Sequence, residues 1–203
     1  MAHIALIGAS GNVGQRLLNE LVSRKHRVTA IARNPDNIPV VQGVTAVRGD
    51  VNDAAALAAV LKGHDAVISS VRFLDSEPQV LIDAVRASGV KRYLVVGGAA
   101  SLLVASGQRL LDQPEFPVEY KAEATAGTVF LDALKAVDDL DWTFLSPSAL
   151  FVPGERTGAF RLGKDELLVG ENGSSISYED FAVAMVDEIE RPAHVQQRFT
   201  VGY

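Results

Sequence analysis

The residues best suited to chemistry are three glycines, Gly8, Gly11 and Gly14, in the run Gly8-Ala9-Ser10-Gly11-Asn12-Val13-Gly14. The run follows a short apolar segment at residues 4–7 and opens a stretch with helical periodicity. A phosphate group needs backbone N–H donors, the positive end of a helix and no Cβ in its way. A glycine-rich turn between a strand and a helix supplies all three. In such a turn Gly8 takes the tight bend, Gly11 lets the backbone approach a pyrophosphate, and Gly14 lets the helix pack closely on the strand. The plainer alternative is a turn that serves the fold alone.

A second candidate lies about 20 residues further on. Sites for NAD place an acid at the end of the second strand, where it holds the ribose hydroxyls. Here that position reads Ile31-Ala32-Arg33-Asn34, with no acid before Asp36. The planar guanidinium of Arg33 can instead fork against a 2′-phosphate. The expected cofactor is therefore NADPH in preference to NADH, unless Arg33 is simply a solvated turn residue.

Composition removes several classes of chemistry. The chain has no cysteine, which excludes disulfides, thiolate metal sites and thiol nucleophiles together. Its four histidines show neither HxH nor HExxH spacing, so no metal site is expected. A formal net charge of −6 gives nothing to a nucleic acid in counterion release, and no nucleic-acid partner is expected. No basic segment precedes the apolar start and no apolar run approaches the roughly 20 residues of a membrane span. The expectation is a soluble, cytoplasmic protein with a small-molecule substrate, and a homodimer is possible.

Elements must hold these residues in place. Apolar runs at 4–7, 28–32, 44–47, 66–68, 93–96 and 142–145 read as strands. Helical patterns at 12–24, 53–61, 79–87 and 120–137 lie between them. Asp53 reads as an N-cap. The alternation predicts an α/β fold, a Rossmann-like doubly wound parallel sheet with helices on both faces. Residues 1–203 read as one NAD(P)-binding domain, with 151–203 as a small C-terminal extension on the substrate side. Within it, Ser177 reads as a helix cap with Asp180 placed for the reciprocal bond, and 199–201 as a last edge strand.

The GxxGxxG spacing of Gly8–Gly14 resembles the atypical short-chain dehydrogenase/reductases. More narrowly, the chain resembles the NAD(P)H-binding family that includes NmrA-like proteins, biliverdin reductase B/flavin reductase and bacterial NADH-flavin reductases. Its further marks are Ala32-Arg33, Gly49-Asp50-Val51, Asp65-Ala66-Val67-Ile68 and Val96-Gly97-Gly98-Ala99, which together span nearly the whole chain. Leu145-Ser146-Pro147 with Gly154-Glu155-Arg156-Thr157-Gly158 points to the flavin-reductase branch. The resemblance implies that Asp50 and Val51 border the adenine and that Ser69, Ser70 and Val71 line the pyrophosphate and ribose. It also implies that Gly97 belongs to the site and that Pro147 fixes the backbone beside the nicotinamide. Turn or cap roles remain open for Asp50, Ser69 and Ser70.

Alcohol-oxidising members of that superfamily use a Tyr-x-x-x-Lys pair, one helical turn apart on one face. This chain reads Tyr120-Lys121-Ala122-Glu123-Ala124, so the fourth residue after the tyrosine is alanine. Neighbouring helical residues diverge by about 100°, and Tyr120 with Lys121 cannot reproduce the pair. That departure counts against alcohol dehydrogenation and sugar epimerisation. Flavin reduction asks less, because the protein mainly stacks and orients two ring systems.

The expected function is thus an oxidoreductase that passes hydride from NADPH to a flavin or similar planar acceptor. The alternative is a non-catalytic redox sensor of the NmrA type. Phe73, Phe116, Tyr120 and Phe151 are candidate walls of the acceptor site. Ser101, Tyr120 and Lys121 are its candidate catalytic groups, although Ser101 could equally cap the next segment and Lys121 could be a solvated lysine. Residues 102–116 and 151–173 are the natural substrate walls.

Overall fold

A computed structural model describes residues 1–203. Strand β1 (His3–Ile7) lies near the middle of an eight-stranded sheet. Its neighbours are β2 (Arg27–Ala32) on one side and β4 (Ala66–Ser69) on the other, both parallel to it. Beyond β2 lies β3 (Val44–Arg48), and beyond β4 lie β5 (Arg92–Val96) and β6 (Asp141–Pro147). The chain order reverses between β1 and β4, which is where such sheets open a crevice at their carboxyl ends.

Period-two alternation assigns each strand residue to a face. Ile4 and Leu6 join the buried cluster under α1 (Asn12–Ser23) and α5 (Tyr178–Glu190). Ala5 and Ile7 join the cluster under α2 (Ala54–Leu61), α3 (Pro78–Ser88) and α4 (Lys121–Lys135). The helix ends follow local chemistry. The Asp53 carboxylate accepts from Ala56 N–H at 3.0 Å, Pro78 opens α3, and Gly89 closes it at φ +82°.

The C-terminal quarter departs from expectation. Residues 197–202 form β10 (Gln197–Gly202), which is not an edge strand. It inserts between β6, parallel, and the three-residue β8 (Arg161–Gly163), antiparallel, and β8 is the true edge. The buried side chains of Phe199 and Val201 reflect that interior position. Strands β7 (Leu150–Val152) and β9 (Ser175–Ser177) pair separately as a small parallel sheet. Three-residue strands carry too little periodicity to be read from sequence.

The cap at Ser177 forms, its hydroxyl accepting from Asp180 N–H at 3.0 Å, but the reciprocal bond does not. The buried Asp180 carboxylate is taken instead by Thr157 Oγ1 (2.6 Å), Gly158 N–H (2.7 Å) and the Tyr203 hydroxyl (2.8 Å). Residues 154–158 therefore strap α1 to α5. Gly154 N–H donates to Glu179 at 2.8 Å, and Arg156 forks against Glu20 of α1 at 2.7 and 2.8 Å. The stretch that marks the resemblance to the flavin-reductase branch is thus a clamp on the helix pair and lines no part of the cavity beyond the ends of β5 and β6.

The hydrogen bond from Arg156 holds the Glu20 carboxyl below its ordinary value of 4.5, with Arg24 assisting and burial opposing. Glu20 contributes stability that is complete above that ordinary value and is lost as pH falls through its depressed folded value. Arg156 is half-exposed, so its share is about 1 kcal/mol or less. Arg156→Met should move the acid-unfolding midpoint, followed by circular dichroism, to higher pH. A midpoint unchanged from wild type would show that the clamp carries no charge linkage.

Candidate functional site

The turn after β1 is shaped by two approaches that leave no room for side chains. Gly8 has φ +82°, and a Cβ there would stand 2.1 Å from the Ser70 carbonyl oxygen. A Cβ on Gly14 would stand 2.1 Å from the Gly8 carbonyl oxygen. The N–H groups of Gly8 and Ala9 both donate to Ile31 O, at 2.9 and 3.2 Å, and Gly11 N–H donates to Gly8 O at 3.1 Å. These residues therefore build the turn. The N–H groups of Asn12 and Val13, in the first turn of α1, have no acceptor within the protein and remain available to an anion. The backbone thus fits the pyrophosphate of a dinucleotide.

A cleft of about 210 Å³ runs from this turn across the strand ends, lined by Ser10, Gly11, Arg33, Asp50, Val51, Ser70 and Val71. The structure brings all of these together as the sequence suggests. Arg33 is largely exposed and stands 3.9 Å from the Asp75 carboxylate. Asp50 accepts from Asn52 N–H at 3.0 Å, an Asx turn that orders the loop. Ser69 departs from expectation. It is buried, its hydroxyl bonds the Tyr93 hydroxyl at 3.0 Å, and it does not line the cleft. Burial, against the hydrogen bond from Ser69, raises the Tyr93 hydroxyl well above its ordinary pKa. Arg72 and Asp75 also line the cleft and were not anticipated. Both lie in the turn after β4, where no periodic pattern marks a position.

The second cavity, about 570 Å³, lies beyond the ends of β5 and β6. Val71 and Arg72 line the first cleft and Phe73 lines the second, so one short segment joins them. All four candidate aromatic walls, Phe73, Phe116, Tyr120 and Phe151, line this cavity, as do Gly97, Ser101 and Pro147. Phe73 rests against Phe144 (centroids 6.1 Å apart) and Phe130 (5.4 Å). From residues 102–116 the cavity takes Leu110, Gln113, Glu115 and Phe116; from 151–173 it takes Phe151 alone. The rest of that second stretch runs over the helix pair and the β8 edge, so it is not the substrate wall that strand order suggests.

Lys121 is exposed at the start of α4 and lines neither cavity. The 100° step between helical neighbours turns it away while Tyr120 faces the cavity rim. Ala124, one turn on, lines the cavity where a Tyr-x-x-x-Lys lysine would stand. Glu123 is a residue that sequence reasoning missed. Its carboxylate accepts from the N–H groups of Phe73 and Leu74 at 2.7 and 3.2 Å, and so pins the segment that joins the clefts. Nothing in the sequence signals a contact across 50 residues.

The NAD(P)H-binding family matches residues 8–192, and the chain belongs to that family of oxidoreductases. The YwnB protein of Bacillus subtilis is 43% identical over 98% of this chain and 97% of its own. A Bacteroides thetaiotaomicron structure described as a "putative epimerase" is 44% identical, with TM-score 0.94, covering 100% of this chain and 97% of that one. A Streptococcus pneumoniae structure described as a "putative NADH-flavin reductase" is 34% identical, with TM-score 0.84, covering 100% of this chain and 99% of that one. No helix of the chain is long and apolar enough to cross a membrane.

Gly14→Val should lower both stability and dinucleotide affinity, because its side chain would drive α1 off the end of β1. A loss of about 2 kcal/mol or more in urea unfolding is expected. Unchanged unfolding together with unchanged cofactor fluorescence titration would contradict the close-packing role.

Proposed function

We propose that the protein is an NADPH-dependent reductase of a flavin or a similarly flat ring acceptor. The observation that carries this reading is the 570 Å³ apolar cavity joined to the phosphate turn through Val71–Phe73 and walled by Phe73, Phe116, Tyr120 and Phe151. Its size falls within the usual range for small-molecule sites, and aromatic walls favour a planar ring. When bound, the dihydronicotinamide supplies a hydride, and the reduced acceptor takes its balancing proton from water. The role of this chain is to anchor the phosphates at the α1 N-terminus and the ribose near Arg33. It also holds the acceptor ring flat over the strand ends.

The absence of a lysine one turn after Tyr120 separates this reading from epimerisation and alcohol oxidation, which need that pair. It is equally compatible with a redox sensor that binds the cofactor without turnover. Oxidation of NADPH with FMN, riboflavin and a quinone as acceptors decides between them. Turnover fastest with flavin supports the reductase. Tight cofactor binding with no turnover of any acceptor would replace it with the sensor.

Arg33 is proposed to face the 2′-phosphate. Because it is largely exposed and shares its charge with Asp75, its contribution is about 1 kcal/mol. Arg33→Ala should weaken NADPH binding roughly fivefold and leave NADH nearly unchanged, measured by calorimetry. Equal losses for both cofactors would remove the 2′-phosphate assignment.

A further inference from the structure

Arg198, on β10, is the one arginine whose guanidinium is buried against the cavity lining, with a side chain only 6% exposed. Its Nε donates to Asp165 at 2.8 Å, and its Nη1 donates to Ser101 Oγ at 3.1 Å. A guanidinium has donors only, so the Ser101 oxygen is the acceptor and its hydrogen is free to point elsewhere. Ser101 lines the apolar cavity.

The other polar groups in that lining are largely committed. Ser148 Oγ donates to Val201 O and Thr128 Oγ1 to Ala124 O, both at 3.1 Å. The Glu123 carboxylate is held by Phe73 and Leu74 N–H. Tyr120 sits at the exposed rim. Gln113 Nε2 is taken by Gln108 Oε1 and Arg109 O. The Ser101 hydroxyl is therefore the interior side-chain donor left free, and the guanidinium of Arg198, paired with Asp165, stands directly behind it.

We propose that Ser101 donates its hydrogen bond to a carbonyl oxygen of the acceptor, and that Arg198, steered by Asp165, is the positioning residue that fixes this direction. The arrangement suits acceptors whose carbonyl oxygen gains negative charge on reduction, such as a quinone or an isoalloxazine ring. A fixed donor backed by a buried cation stabilises that charge without reorganising. The consequence for turnover rests on the reductase reading above, but the donor itself can be tested without turnover.

The probe is 4-nitrophenol, bound to the full-length protein saturated with NADP and followed by its phenolate absorbance as pH is varied. In the wild type the bound phenol should titrate on the order of one pH unit below the free phenol, since a charge-assisted donor favours the anion. Ser101→Ala should abolish the shift and Ser101→Thr should keep it. Arg198→Met should remove most of it, and the Ser101→Ala, Arg198→Met double variant should lose no more than Ser101→Ala alone. Should Arg198→Met not fold, Arg198→Gln, which keeps an N–H donor without the charge, carries the same comparison. In steady-state assays the same variants should lower kcat for a quinone more than they raise its KM, with a carbonyl-free phenazinium dye little affected. A wild type that does not bind or shift the phenol would overturn the assignment. So would a shift that survives Arg198→Met, or losses that add in the double variant. A low phenol titration in a protein that reduces no acceptor would support the donor and sink the reductase reading.

Discussion

The molecule depends on one close approach of backbone to backbone. α1 can begin directly at the end of β1 only because Gly14 meets the Gly8 carbonyl with no side chain between them. That contact sets the angle of α1, and α1 carries Leu17, Leu18 and Leu21 into the core on one face of the sheet. It also leaves the N–H groups of Asn12 and Val13 unpaired at the start of α1, next to Ser10 and Gly11 of the cleft. The same geometry thus serves packing and charge recognition, and a substitution there damages both at once.

The second structural idea is that the two clefts share a wall. The segment after β4 passes from the phosphate turn to the apolar cavity within three residues, and α4 holds it from below. Glu123 satisfies its backbone donors while Phe73 seats its ring among Phe130 and Phe144. Hydrogen bonds to a charged group are stronger than neutral ones, and with the half-buried Phe73 ring they tie this segment to α4. On the proposed reductase reading, transfer between two rings needs their planes at a fixed separation, which a pinned shared wall would hold.

The sequence discloses whatever is local and periodic. The strands β1 to β6, the four helices between them and the glycine turn all follow from apolar spacing and cap residues within a few positions. Arg33 and the four aromatic walls were legible because strand ends in this fold face the crevice. What depends on contacts distant in sequence was not legible. Glu123 reaches Phe73 across 50 residues, Arg156 reaches Glu20 across 136, and Arg198 reaches Ser101 across 97. Ser69 shows a subtler limit. Its position at a strand end is correct, but the pleat sends its side chain inward to Tyr93 while Ser70 faces the cleft.

The C-terminal residues illustrate how fold and site divide a segment. Their place after a strand's carboxyl end suggests a substrate wall, yet most of the polar atoms between 154 and 158 are spent on Glu20, Glu179 and Asp180. With α1 and α5 clamped from outside, β10 can enter the sheet beside β6 rather than fray at its edge, and Val201 pairs with Pro147 at the cavity floor. That insertion brings Arg198 behind Ser101. A chain lacking the lysine partner of Tyr120 thereby still places a guanidinium, paired with Asp165, behind a cavity-lining serine in the turn after β5. The charge arrives buried and directional rather than solvated. It suits an acceptor that needs its developing anion stabilised and can take its proton from water.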